Sequence, residues 1–369
     1  MKYTLQFKTG DAEIRALKNI PPEVYSHQEM AVLIELTRGR KSKKDQIGDL
    51  NKRVDALSKF LPNDAMVYFD ITSDPDLSNA QIDEIFDSQN GYEKWQCFFA
   101  DLRSIFRRAI PMLLVNDIDE EYRDFRKQII SFAKTYRHIG YKIDPSVDKE
   151  IIEKELDIIA AELQWARDTH ITVFYDQGYI VDGLVKIAEN RAISYLCSAK
   201  DRLKECEYVE FVLTSTSFPD SVASLNKREQ QGTIACTELR LFNSVEQAVS
   251  FPISYSDYGS ITPKRNDDVA FYGNGWIPRI DVPKDDVSEI FYYRQRRNKE
   301  SDEEYADTYI NVAKACIEDQ RFPRELVCWG CQTVKNTAAG MKPGATPSFW
   351  ISVRMNMFVT QQMKRLGLL

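Results

Sequence analysis

Short apolar runs, most of them ending at a polar or charged residue, recur eight times between Tyr3 and Gly259 and alternate with stretches of helical periodicity. They cover Tyr3–Phe7, Ala31–Leu36, Ala65–Ile71, Ile110–Val115, Ile139–Ile143, Ile171–Tyr175, Tyr208–Leu213 and Ile253–Tyr255. Strands apolar on both faces belong to parallel sheets covered by helices, and eight of them in alternation with helices predict an α/β fold, a (β/α)8 TIM-type barrel. Between the runs, Ile47, Leu50, Val54, Leu57 and Leu61 recur at three or four residues behind Ser42 and Asp45, which are spaced as a capping box. The aromatic stripes Trp95, Phe98, Phe99, Leu102, Phe106 and Tyr122, Phe125, Ile129, Phe132, Tyr136 predict helix faces packed on the barrel.

Past Gly259 the alternation stops. Pro263, Gly273, Gly275, Pro278 and Pro283 punctuate the next stretch, which predicts a boundary: a barrel over residues 1–262 and a small α+β extension over 263–369. In the extension, Ile277–Val282 and Glu289–Tyr293 predict a hairpin. Ser301–Asp319 predicts a helix opened by Ser301 and Glu304, and Thr346-Pro347 opens a last one.

With 369 residues, 43% of them hydrophobic, the chain can bury one large core, and about 250 residues is the usual barrel size. The net charge of −7 excludes a protein that coats polyanions along a basic surface, so any nucleic-acid contact is local. No apolar stretch near Met1 suits a signal peptide and none elsewhere suits a membrane span, which predicts a cytoplasmic protein. Seven cysteines, an odd number, predict reduced thiols, and Cys328 with Cys331 lack further ligands for structural zinc.

Barrel enzymes place their chemistry where strands end. That rule selects Lys8, Glu35, Asp70, Asn116 and Asp117, Lys142 and Asp144, Asp176, Thr214–Ser217, and Asp257 with Tyr258. Of these, Lys8, Glu35, Asp70, Asp176 and Asp257 are the candidate catalytic residues. Carboxylates converging in a dry mouth share a proton, a cation such as Mg2+, or a lysine, and so suit acid–base chemistry or a metal. Ser215, Thr216, Ser217 and Tyr258, with Lys264 as counter-charge, sit where barrels commonly bind phosphate. Arg38 and Arg40 open a run of five positive charges in seven residues, Arg38 to Lys44, and Arg294 opens a second basic run.

The chain resembles the beta protein family of phages and bacteria. The residues that carry the likeness are Phe7-Lys8, Glu13, Ala16-Leu17, Leu33-Ile-Glu35, Tyr68-Phe-Asp70, Ala109-Ile-Pro111, Thr216-Ser-Phe-Pro219, Ser256-Asp-Tyr-Gly259, Trp329-Gly330 and Trp350 to Asn356. Where the family has an acidic residue after Trp-Gly and a histidine after the late asparagine, this chain has Cys331 and Met357, which argues against a catalytic role for the extension. The resemblance implies the same barrel and a context of phage–host conflict, and supplies no established reaction. Two expectations follow. One is an enzyme of phosphoester-hydrolase type acting on a nucleotide or nucleic-acid end; the other is a non-catalytic sensor that binds a ligand or a protein partner in antiphage or counter-defence systems.

Overall fold

A computed structural model of the chain describes residues 2–41, 45–116, 119–220, 230–264, 275–298, 300 and 302–369. Its strands are β1 (Tyr3–Lys8), β2 (Met30–Leu36), β3 (Val67–Ile71), β4 (Ala109–Pro111), β5 (His138–Ile143), β6 (His170–Tyr179), β7 (Tyr208–Thr216), β8 (Gln231–Ala235), β9 (Ser254–Asp257), β10 (Arg279–Pro283) and β11 (Glu289–Arg294). Its helices are α1 (Asp11–Leu17), α2 (Pro22–Tyr25), α3 (Leu50–Ser58), α4 (Ala80–Ile85), α5 (Gln89–Ile105), α6 (Arg123–Tyr136), α7 (Lys149–Leu163), α8 (Val185–Arg202), α9 (Glu238–Ala248), α10 (Tyr305–Glu318), α11 (Trp329–Ala338) and α12 (Pro347–Arg365).

Eight strands form one parallel sheet in the order β4-β3-β2-β1-β9-β7-β6-β5. A single parallel bridge between Met112 and Gly140 brings β4 to β5 and nearly closes the sheet, giving the (β/α)8 barrel that the alternation predicts. Gly140 is needed at that seam, because a Cβ there would meet Met112 Sδ at 2.2 Å. Side chains alternate between the two faces of each strand. Ala31, Leu33, Tyr68, Ile110, Met112, Phe174 and Val212 therefore form an inner cluster, while Leu5, Val32, Ile34, Phe69 and Leu213 meet the surrounding helices.

Strand four is shorter than the predicted Ile110–Val115. Pro111 brings no N–H to the ladder, and beyond it the Gln128 side-chain amide of α6 takes over. Its Nε2 donates to Leu114 O at 3.0 Å and its Oε1 accepts from Leu114 N at 2.8 Å. Trp95 Nε1 donates to Met112 O at 3.0 Å, so the first aromatic stripe packs on the barrel and also satisfies the strand. α3 starts at Leu50 under an Asp49 cap, later than the Ile47 periodicity predicts, and Ile47 is exposed. Ser42 lies outside the described residues. α10 is capped by Glu304 paired with Asp307; Ser301 also lies outside the described residues.

The predicted hairpin forms as β10 and β11. Its third strand is β8, which comes from ahead of residue 262 and which periodicity did not reveal. α12 serves two cores. Met355, Val359 and Met363 pack into the barrel, and Trp350, Val353 and Met357, on another face of the same helix, pack into the small module. It lies against α1 and β9, where Asn356 Nδ2 donates to Ala16 O at 3.0 Å and Gln362 Nε2 to Asp257 Oδ2 at 3.1 Å, and so occupies the place of the eighth barrel helix. No helix among the described residues is long and apolar enough to cross a membrane.

Candidate active site at the barrel mouth

Strand parity decides which strand-end residues face the barrel axis. Leu33 and Tyr68 are inner residues, so Glu35 and Asp70, two positions on and paired in register, are inner as well. Lys8 is Glu35's register partner on β1, Asp176 follows inner Phe174, and Lys142 is the register partner of Phe174 on β5. These side chains meet at the carboxyl ends of the strands. Lys8 forms an ion pair with Glu35, and Lys142 pairs with Asp70 while standing 4.0 Å from Glu35 Oε2. Gln6 Nε2 donates to Asp176 Oδ2 and to Tyr258 OH, both at 3.0 Å, and the Tyr258 hydroxyl donates to Asp176 as well.

The three carboxyls differ in their proton affinity. Burial alone would raise Glu35, yet the Lys8 and Lys142 ammoniums outweigh it and hold this carboxyl at about 2. Burial raises Asp70, aided by the Glu35 charge and opposed by Lys142. Asp176 is also raised by burial, against hydrogen bonds from Tyr258 and Gln6 and the Lys142 charge. Burial would lower Lys142, but Asp70 and Glu35 keep it firmly protonated. Beside the mouth, Thr72 hydrogen-bonds Glu35 and also lines a cavity of about 410 Å³ with Ser73, Phe86 and Asn116.

Other strand-end residues lie elsewhere. Asp257 pairs in register with Leu5, on the helix-facing side of β1. It is buried under α12, accepting from Tyr3 OH at 2.9 Å and from Gln362. Ser215 shares that parity. Ser217 donates to Glu238 of α9, and Thr216 Oγ1 accepts from Phe218 N at 3.1 Å. The Arg38 guanidinium is buried and donates to Asp76 O at 2.8 Å and Gly39 O at 3.3 Å, while Arg40 is exposed. Lys264 is exposed, 3.7 Å from Asp220. Asn116 donates to Phe86 O at 3.3 Å, and Asp117 lies outside the described residues. The mouth thus gathers Lys8, Glu35, Asp70, Asp176 and Tyr258 from the predicted set. It adds Gln6, which no strand-end rule selects, and gives Lys142 a central position.

Among the described residues no three His, Cys, Asp or Glu side chains converge as a metal-ligand set. All seven cysteines are free. Cys328 Sγ caps α11 by accepting from Cys331 N at 3.3 Å, and Cys331 Sγ donates to Pro323 O at 3.4 Å, so this pair is structural.

Comparison with curated proteins finds no match. The family model described as Beta protein, by contrast, matches residues 3–364, nearly the whole chain. Its span takes in every residue of the mouth and all but the end of α12. The chain belongs to the Beta protein family.

Proposed function

We propose that the mouth performs acid–base chemistry on a small phosphate-bearing substrate, a nucleotide or a nucleic-acid end, in the manner of a phosphoester hydrolase. One observation carries this reading: two ammoniums and three carboxyls of diverging proton affinity meet at a single barrel mouth. Environments that push neighbouring carboxyls apart assign different roles to them. Glu35 is a fixed negative charge that orients Lys8 and Lys142. Asp176, with Tyr258 on its oxygen, is the proton carrier, and the lysines face the charge of the substrate's phosphate. Hydrolysis adds water across a P–O bond, so the carrier takes a proton from the water and returns one to the leaving oxygen. The cavity beside Thr72 offers room for the rest of the substrate. Free thiols throughout support a reducing, cytoplasmic setting.

A second reading has its own support. Both lysines are closed in ion pairs, which suits a sensor that binds without turnover. A panel of nucleotides and short oligonucleotides, assayed for phosphate release and by thermal shift, separates the two. The hydrolase loses release in Asp176→Asn and keeps ligand stabilisation. Release unchanged in that variant overturns the assignment of Asp176. Stabilisation without release, lost in Lys8→Met, selects the sensor.

A further inference from the structure

Away from the barrel mouth, two buried guanidiniums share one carboxylate. Arg279 Nε on β10 donates to Asp281 Oδ1 at 2.6 Å, and Arg354 Nη1 on α12 donates to Asp281 Oδ2 at 2.9 Å. Arg354 is 3% exposed and Asp281 7%. A guanidinium keeps its proton at any ordinary pH, so this group carries one positive charge in excess. Each cation also stands over the face of a ring, Arg279 over Tyr292 and Arg354 over Phe218, both with Cζ 3.6 Å from the ring centre. With those faces covered, further partners must approach the edges. There Arg354 Nε and Arg279 Nη1 meet no hydrogen-bond acceptor among the described residues. Buried donors on a cation are rarely left unpaired, because the charge has been taken out of water without full compensation. Arg294, directly opposite Arg279 on β11, adds a further like charge at this end of the sheet.

We propose that Arg279 and Arg354 form a receptor for a phosphate-type oxyanion at the seam between the small sheet, α12 and the segment following β7. The N–H groups of two guanidiniums suit the several oxygens of a tetrahedral dianion, and the doubled charge answers the excess cation better than a monoanion does. Asp281 is the internal rival of the ligand: it holds the two arginines in place and takes part of their hydrogen-bonding capacity.

The full chain is titrated with inorganic phosphate, sulfate and acetate at matched ionic strength, and the melting temperature is read. Phosphate and sulfate raise it and acetate does so much less; an equal response to all three overturns the dianion class. Lys142→Met silences the barrel mouth, whose lysines also face phosphate, and leaves part of the response; Arg354→Lys added to it removes most of what remains. A response lost entirely in Lys142→Met alone places the anion at the mouth and overturns the receptor. Asp281→Asn supplies the independent arm, because removal of the rival carboxylate tightens phosphate binding several-fold even as it lowers the unliganded melting temperature. Phosphate binding no tighter in Asp281→Asn than in the native chain overturns the proposal whatever the fate of Arg354→Lys.

Discussion

Lys142 of β5 pairs with Asp70 of β3 across β4, the three-residue strand between them. The ion pair thus spans the narrowest part of the barrel wall, where backbone pairing is reduced to the Met112–Gly140 bridge. Asp70→Asn leaves the ammonium with Glu35, 4.0 Å away, as its remaining carboxylate there. The cost is about 2 kcal/mol, below the usual range for a broken buried pair because the Lys142 side chain is 26% exposed. Lys142→Met added to Asp70→Asn recovers most of that loss. Urea unfolding of the two singles and the double gives the coupling, and additive losses would show that the residues act separately.

Glu238 gives stability an unusual dependence on pH. Burial pushes its carboxyl up to about 7, against the hydrogen bond from Ser217. A raised carboxyl binds its proton more tightly in the folded chain, so its contribution is full below about pH 4.5 and is lost as the pH rises through 7. The amount is on the order of 3 kcal/mol. Glu35 works in the opposite sense: its contribution is present above about pH 4.5 and disappears as the pH falls towards 2. Urea midpoints between pH 5 and 8 fall with rising pH in the native chain, and Glu238→Gln flattens that slope. A slope unchanged in the variant assigns it to other groups.

Gly330 permits the close approach of α11 to α12. A Cβ there would meet Val353 O at 2.5 Å and Met357 Cγ at 2.6 Å, and the Gly330 N–H donates to Asn356 Oδ1 at 2.8 Å. Gly330→Ala forces backbone apart where helix propensity alone would favour alanine. The expected loss is about 2–3 kcal/mol. A melting temperature equal to or above that of the native chain would show that α11 shifts freely.

Cys331 should resist alkylation in the folded chain at neutral pH, because burial holds its thiol at about 11 and little thiolate forms. Cys97, which is exposed, reacts first. Mass spectrometry after brief iodoacetamide treatment reads the order. Modification of Cys331 in step with Cys97 would reveal opening of the α11–α12 packing.

The barrel was legible because its strands are buried on both faces and read as continuous apolar runs. Glu35, Asp70, Asp176 and Lys8 were legible because they end such runs. The same rule misplaced Asp257 and Ser215, since a strand's last residue faces the axis or the helices according to parity, and only the register with neighbouring strands fixes it. The strand-end rule also selected Lys142, and counting two residues on from inner Gly140 turns it to the barrel axis. Gln6 was hidden because a neutral amide inside an apolar run gives no charge signal. β8 was hidden for a related reason: of Gln231–Ala235 only Ile234 is buried, so the strand has no period to read.

α12 also governs how the chain reaches its fold. β1 and β9 receive their cover from a helix whose Asn356 bonds to the main chain of Ala16, 340 residues earlier in sequence. A contact so distant is entropically costly to close, and folds built on such contacts form slowly compared with local helical hairpins. During synthesis β1 is completed long before that cover exists, so its outer apolar face must wait, exposed or transiently shielded, until the segment carrying Asn356, 340 residues beyond Ala16, has been made.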